Sequence, residues 1–272
     1  MISMKNWVIA RKCHLKELVE KFDKVPSLAI INTLESPATT SYIKGKLKDA
    51  EEVGIKAEVF YFEDGLSPEE FGEKIQALPH DAIIIQLPLH PNYEPFKDEI
   101  LSYIPPYKDV DGLTDRTYFN PCTPLGIMNF LESNDFKFSG ANVTIIGRSE
   151  LVGKPLARLM LEEDATVTIC HSHTKDLAQH TLNADLIVCA AGRPNLLTAD
   201  MVRHDYKQIV IDVGINRVNG KLCGDVSSDV EQFVKYSSPV PGGVGLLTRM
   251  SLMENTYIAA RLERGVCKHE QN

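Results

Sequence analysis

The run NVTIIGRSELVGKP (residues 142–155) decides how this chain folds. Val143 to Ile146 are β-branched throughout and read as a buried strand. Gly147 permits a tight turn, Gly153 permits close packing of a following helix, and Pro155 suits a helix's first turn, where its missing N–H costs nothing. A strand, a glycine turn and a helix in this order can open a dinucleotide-binding unit, with a phosphate on the free N–H groups of the helix start. Ser149 stands where the standard G-x-G-x-x-G has its middle glycine, so a turn with no ligand is the competing reading.

Outward from this run, short apolar stretches recur at 27–33, 57–62, 81–87, 166–170, 185–190 and 208–213, beside 142–147 itself. Segments of helical period lie between most of them, as at 42–53, 68–77 and 154–163. Nearly continuous apolar strands alternating with helices predict an α/β protein with parallel sheets covered on both faces. The 272 residues suit two domains. Pro105, Pro106, Asp111, Gly112, Pro121 and Pro124 punctuate a stretch without period, and SSPVPGGVG (237–245) makes a second break. We place a catalytic domain at 1–121, completed by a helix within 246–272, and a Rossmann-type domain at 122–245, with a cleft between the two.

The strand after the glycine turn ends in His171-Ser172-His173-Thr174, without the acid that holds ribose hydroxyls in an NAD site. A carboxylate would repel a 2′-phosphate, whereas Arg148, Ser and Thr would bind it, so the site leans to NADP. His171 and His173 have the H-x-H spacing of some metal sites, but no third ligand is near, and polar loop histidines are the favoured reading. Gly192 and Gly214 follow apolar strands, where each can admit a ligand or simply make a turn.

In the first domain Pro37 to Ser41 precede a helix whose buried stripe is Ile43, Leu47 and Ala50. Tyr42 and Lys46, four residues apart, flank that stripe on one face, while Lys44 and Lys48 point away. A lysine at such an edge can lose water and serve proton chemistry, though from spacing alone a solvated helix lysine is the favoured reading. Gln86 closes a strand just before Pro88 and faces its carboxyl end; Asp111 supplies a carboxylate in an Asp-Gly turn that needs no ligand to exist.

Composition narrows the classes. An apolar fraction of 43% and a charged fraction of 24% are those of an ordinary globular protein, and a net charge of −8 argues against nucleic acid as the main partner. The six cysteines form no C-x-x-C pair, Cys170 and Cys189 sit in apolar runs, and a reducing compartment without disulfides is expected. Charge interrupts the N-terminus too early for a signal peptide, and no apolar run nears membrane-spanning length, so we expect a cytoplasmic protein.

The pieces PATTSYIKGKLKDAEEVGI, IIIQLPL, PPYKDVDGL, PCTPLGI, GRSELVGKP, ATVTICHSHT, ADLIVCAAGRP, VIDVGIN, GDV and PVPGGVG follow one another over nearly the whole chain. In that order they resemble the bifunctional methylenetetrahydrofolate dehydrogenase/cyclohydrolase family. The resemblance implies tetrahydrofolate substrates, NADP and a homodimer formed through the dinucleotide-binding domain. It makes Lys46 the general acid/base of the cyclohydrolase step, Gln86 its orienting partner, Tyr42 a stacking platform for the folate rings and Asp111 an acceptor for the pterin. Pro241, Gly242 and Gly243 would close backbone over the substrate. Gly147, Arg148, Ser149, Gly153, His171, Ser172, Thr174, Gly192 and Ile215 would hold NADP, Ile215 against the nicotinamide.

The chain departs from the family in places. Leu34-Glu35-Ser36 replaces a Gly-Asp pair, Thr39 a serine, Leu246 a proline, and Ser227-Ser228 an Asp and an aromatic. The stretch from Asp111 to Pro121 is several residues shorter and lacks an Asn-x-Gly segment, which bears on folate binding. A Rossmann dehydrogenase on another small molecule, and a non-catalytic nucleotide-binding paralogue, are the rival readings. Retention of Tyr42, Lys46, Gln86, Asp111 and the Gly147 turn weighs against both.

Overall fold

A computed structural model describes residues 1–264. Two compact units make up the chain: Met1–Val8 with Thr123–Thr248, and Ile9–Cys122 with the chain from Arg249 onward. The divisions fall inside or at the start of three helices, α1 (Met4–Val19), α5 (Cys122–Glu132) and α8 (Val244–Glu263). Between α1 and α5 run β1 (Ser27–Asn32), α2 (Pro37–Val53), β2 (Lys56–Tyr61), α3 (Pro68–Gln76), β3 (Ala82–Ile85) and α4 (Lys97–Ser102). After α5 come β4 (Asn142–Ile146), α6 (Gly153–Glu162), β5 (Thr166–Cys170), α7 (Leu177–Thr181), β6 (Leu186–Cys189), β7 (Ile209–Asp212), β8 (Asn216–Val218), β9 (Lys221–Cys223) and β10 (Tyr236–Ser237).

All seven apolar runs are strands, paired in parallel. The unit built on Ile9–Cys122 holds the sheet β2-β1-β3; the unit built on Thr123–Thr248 holds β10-β7-β6-β4-β5. Strands β1, β3, β4, β6 and β7 are buried almost throughout, as apolar runs covered on both faces demand, while the edge strands β2 and β5 are mostly half-buried or exposed. In each sheet the order reverses beside the first strand, β1 or β4, and ligands of open α/β sheets bind outside the carboxyl ends at such a reversal. That geometry puts Gln86, just past β3, and Gly147, just past β4, at the places where chemistry is expected.

Each sheet has its own core. Ile31, Phe71, Ile75, Ile83, Ile85 and Ile100 cluster in one; Ile146, Cys170, Ile187, Cys189, Val210 and Val230 cluster in the other. Cys170 and Cys189 thus pack as small hydrophobes with free thiols. Cys267 lies outside the described residues, as does the end of the 246–272 segment.

Several elements go beyond the sequence reading. Helix α1 was hidden because its stripe of Met4, Trp7, Val8, Leu15 and Val19 passes through Arg11 and Lys12, which are ion-paired to Glu254 and to Asp49 and Glu52. Helix α2 begins at Pro37, five residues before the expected Tyr42, because Ser36 caps it: Ser36 Oγ accepts from Thr39 N–H at 3.1 Å, and Thr39 Oγ1 accepts from Ser36 N–H at 2.9 Å. Thr39 Oγ1 also donates to Leu34 O at 2.8 Å. The substituted Leu34-Glu35-Ser36 stretch is therefore a working helix start. Among the described residues, no helix is long and apolar enough to cross a membrane.

Candidate active site

Helix α2 delivers Tyr42 and Lys46 one turn apart. Tyr42 is 42% exposed, its ring open to a stacking partner. Ile43 and Ala50 are buried as expected, Leu47 only partly, and Lys44 and Lys48 face solvent. Lys46 Nζ donates to Gln86 Oε1 at 3.0 Å. Gln86 is itself held twice: its backbone N–H donates to Ile31 O at 2.8 Å, and its Nε2 to Leu87 O at 2.8 Å. With Nε2 turned to Leu87 O, the side-chain oxygen faces the lysine.

The stem of Lys46 keeps partial exposure, but its ammonium end is closely surrounded, and this desolvation lowers its pKa below the ordinary 10.5. The charge of Asp111 and the Cys122 thiol oppose that shift, and Arg249 adds to it. Lys46, Gln86 and Asp111 therefore form one polar group. Burial, with the Asp111 charge and hydrogen bond behind it, pushes the Cys122 thiol well up, so it stays protonated while its Sγ–H donates to Val110 O at 3.2 Å.

The short stretch after Asp111 is tied down rather than loose. Asp109 accepts from the N–H groups of Leu113 and Thr114 at 3.1 and 2.9 Å, and from Thr114 Oγ1 at 2.8 Å. Gly112, at φ +69°, lies so close to Pro121 that a Cβ would stand 2.6 Å from its nitrogen. Asp109 was passed over at the sequence level because it sits two residues before the more conspicuous Asp-Gly.

A second set behind Lys46 was also missed. Asp49 is 4% exposed inside a helix and bonds both Lys12 and Arg249, two residues far from it in sequence. Arg249's guanidinium lies 3.3 Å from where a Cβ on Gly45 would be. Gly45 in mid-helix was the available signal, since glycine there costs about 1 kcal/mol against alanine unless something needs the room. A shallow depression at the α2 start is lined by Glu35, Ser36, Pro37, Thr40, Ser41 and Lys44 and by none of Lys46, Gln86 or Asp111.

In the other unit, Gly147 has φ +129°, and a Cβ there would stand 2.2 Å from Ala190 O; a Cβ on Gly153 would stand 2.2 Å from Gly147 O. This tight cradle is what a dinucleotide turn needs. The helix start differs from expectation: its N–H groups are not free for phosphate. Ser149 Oγ accepts from Val152 and Gly153 at 3.2 and 3.4 Å, Ser149 O accepts from Lys154 at 3.1 Å, and Pro155 has no N–H. Ser149, in place of the middle glycine, caps the helix itself; its O–H hydrogen is what it can offer an anion.

The turn past β5, His171 to Thr174, carries no acid. His171 N–H donates to Thr174 Oγ1 at 2.9 Å and Thr174 N–H to His171 O at 2.8 Å, closing a small turn with Ser172 exposed at its tip. His171 Nδ1 accepts from His173 N–H at 3.2 Å. Asp176 caps α7 through Gln179 N–H. Arg148 is exposed and makes no ion pair among the described residues. These residues suit a nucleotide carrying a phosphate on its ribose.

Gly192, at φ +64°, has open space where a Cβ would be, and Ile215 is 51% exposed. Gly214 is different: a Cβ there would strike the Asp225 carboxylate, so its smallness serves the protein and not a ligand. In PVPGGVG, Pro241 and Gly242 are exposed, whereas Gly243 is buried against Pro239 O. These three belong to the nucleotide-binding unit, not to the one carrying Lys46.

Residues 4–111 match the catalytic domain, and residues 121–264 the NAD(P)-binding domain, of tetrahydrofolate dehydrogenase/cyclohydrolase. The chain belongs to the tetrahydrofolate dehydrogenase/cyclohydrolase family. A family member from Nitrosomonas europaea, the bifunctional protein FolD, is 45% identical over 89% of this chain and 85% of its own length. The crystal structure of FolD from Campylobacter jejuni superposes with a TM-score of 0.89 at 39% identity, covering 95% of this chain and 97% of that one. The Trypanosoma brucei enzyme, solved with NADP and an inhibitor, gives a TM-score of 0.88 at 29% identity over 98% of both chains. Below these lies a shikimate dehydrogenase from Thermus thermophilus at 14% identity and TM-score 0.53, which shares the fold.

Proposed function

We infer that this chain oxidises methylene-tetrahydrofolate with NADP to methenyl-tetrahydrofolate and hydrolyses that product to formyl-tetrahydrofolate. The observation that carries the reading is the Lys46–Gln86 contact at 3.0 Å on a lysine whose pKa burial has lowered. NADP, when bound, accepts the hydride from the methylene carbon. The resulting methenyl cation is electrophilic enough to take up water, and the ring then opens with proton transfers.

Lys46 is suited to those transfers. Desolvation enlarges its neutral fraction, so it can draw a proton from attacking water and return it to the departing ring nitrogen. Gln86, its carboxamide oriented by the Nε2–H bond to Leu87 O, holds the lysine through Oε1. Tyr42 presents a face for the folate rings, and Asp111 an acceptor for the pterin. Pro241, Gly242 and Gly243 are proposed to cover the substrate with backbone.

For NADP, Gly147 and Gly153 supply the turn, and Arg148, Ser149, Ser172 and Thr174 the donors for phosphate, with His171 shaping their loop. Gly192 and Ile215 are proposed to face the nicotinamide end. A homodimer, implied by the family resemblance, and a cytoplasmic setting, expected from the charged N-terminus and the lack of a membrane-length apolar run, complete the proposal.

Absorbance assays of the purified protein with methylene-tetrahydrofolate test this reading. Reduction of NADP well in excess of NAD, followed by decay of the methenyl absorbance, is expected. No oxidation with either nucleotide would overturn it.

A further inference from the structure

Two loops leave the nucleotide-binding sheet side by side. Cys189 of β6 pairs with Asp212 of β7, and the strands run on into Ala191-Gly192 and Val213-Gly214. One carboxylate joins these loops. Asp225 Oδ2 accepts from the N–H groups of Ala191 at 2.7 Å and Gly192 at 2.9 Å, and Oδ1 accepts from Asn216 Nδ2 at 2.8 Å. Asp225 is 0% exposed, and its own N–H donates to Asp212 Oδ1 at 3.0 Å.

The neighbouring glycines are shaped around this pair of acids. A Cβ on Gly214 would stand 2.1 Å from Asp225 Oδ1, and one on Gly224 would stand 1.8 Å from Asp212 Oδ2. Burying a carboxylate is costly unless donors replace its water. Asp225 makes no ion pair among the described residues, so its three N–H partners carry that burden. The successive amides of Ala191 and Gly192 form the kind of concavity that binds an outside anion, and the chain fills it with its own. Their outward sides, and Ile215, remain exposed.

We propose that Asp225 is a positioning residue for the nucleotide: it staples the Ala191–Gly192 loop to the Gly214–Asn216 loop, fixing the spacing at which Gly192 and Ile215 receive the nicotinamide end of NADP. This rests on the NADP reading above. It gives the GDV run a role in cofactor affinity without direct contact.

Steady-state kinetics and a fluorescence titration with NADP test it, with methenyl-tetrahydrofolate hydrolysis, a reaction needing no nucleotide, as the internal control. Asp225→Ala should raise the NADP KM and Kd by about tenfold or more, while hydrolytic kcat/KM stays within about twofold. Asp225→Asn keeps an acceptor for the two amides, and the Asn216 carboxamide can turn over to suit it. That variant should recover NADP affinity to within about threefold of the parent. Gly214→Ala, which drives a methyl into Oδ1 while leaving the acid in place, should reproduce the Asp225→Ala defect. It also decides the matter should Asp225→Ala fail to fold. Unchanged NADP affinity in these variants, or hydrolysis falling in parallel with it, would overturn the proposal. A parent protein that binds NADP but oxidises no folate would sink the reaction assigned above, and leave the binding comparison to judge Asp225 alone.

Discussion

A lysine ammonium is most stable in water, and Lys46 has exchanged much of that water for one amide oxygen. The exchange favours the neutral amine, so the limb of the hydrolysis rate that rises as the amine loses its proton should be centred below 10.5. Lys46→Met should cut hydrolysis by about 100-fold or more, remove that limb, and leave NADP affinity within about twofold. Retained hydrolysis, or a limb that survives the substitution, would refute the assignment; a pH–rate profile of both proteins decides. Tyr42, Lys46 and Gln86 were legible because helix period and a strand end place them without knowledge of the rest. Asp49, Arg249 and Asp225 were not, since what makes them important is a partner far along the chain, and a glycine such as Gly45 or Gly214 signals that room is needed without saying for what.

At the level of elements, α2 carries two of the proposed catalytic side chains, and its first turn rests on the reciprocal Ser36–Thr39 pair. Ser36→Ala removes the acceptor for Thr39 N–H and should cost about 1 kcal/mol of stability, whereas Ser36→Gly should cost only a few tenths. Urea or thermal melts compare the two, and equal losses would mean that the cap is idle. The seven parallel strands could be read ahead because burial on both faces leaves an unbroken apolar signature. Strand β10 is two residues long and the β8–β9 hairpin three on each side, too short for any period to register. The Ser149 cap escaped notice for another reason. A serine within a glycine-rich turn resembles a phosphate ligand as readily as a helix cap, and only the distances to Val152 and Gly153 separate the two roles.

For the molecule as a whole, the nucleotide-binding unit borrows its first eight residues from the far end of the chain. Trp7 meets Phe130 edge to face at 6.1 Å, and Ile2 N–H donates to Asn134 Oδ1 at 2.7 Å. Trp7→Ala should destabilise that unit by about 3 kcal/mol, so NADP-dependent oxidation should be lost on heating at a lower temperature than in the parent. Matching inactivation curves would show Trp7 to be dispensable. The same threading has a consequence at birth. Ile2 waits for a partner 132 residues downstream and Asp49 for one 200 residues downstream. At ordinary translation speeds the second interval is roughly 10–40 s. Throughout it Asp49 has Lys12 but not Arg249, and neither unit can finish until α8, which contributes to both, emerges.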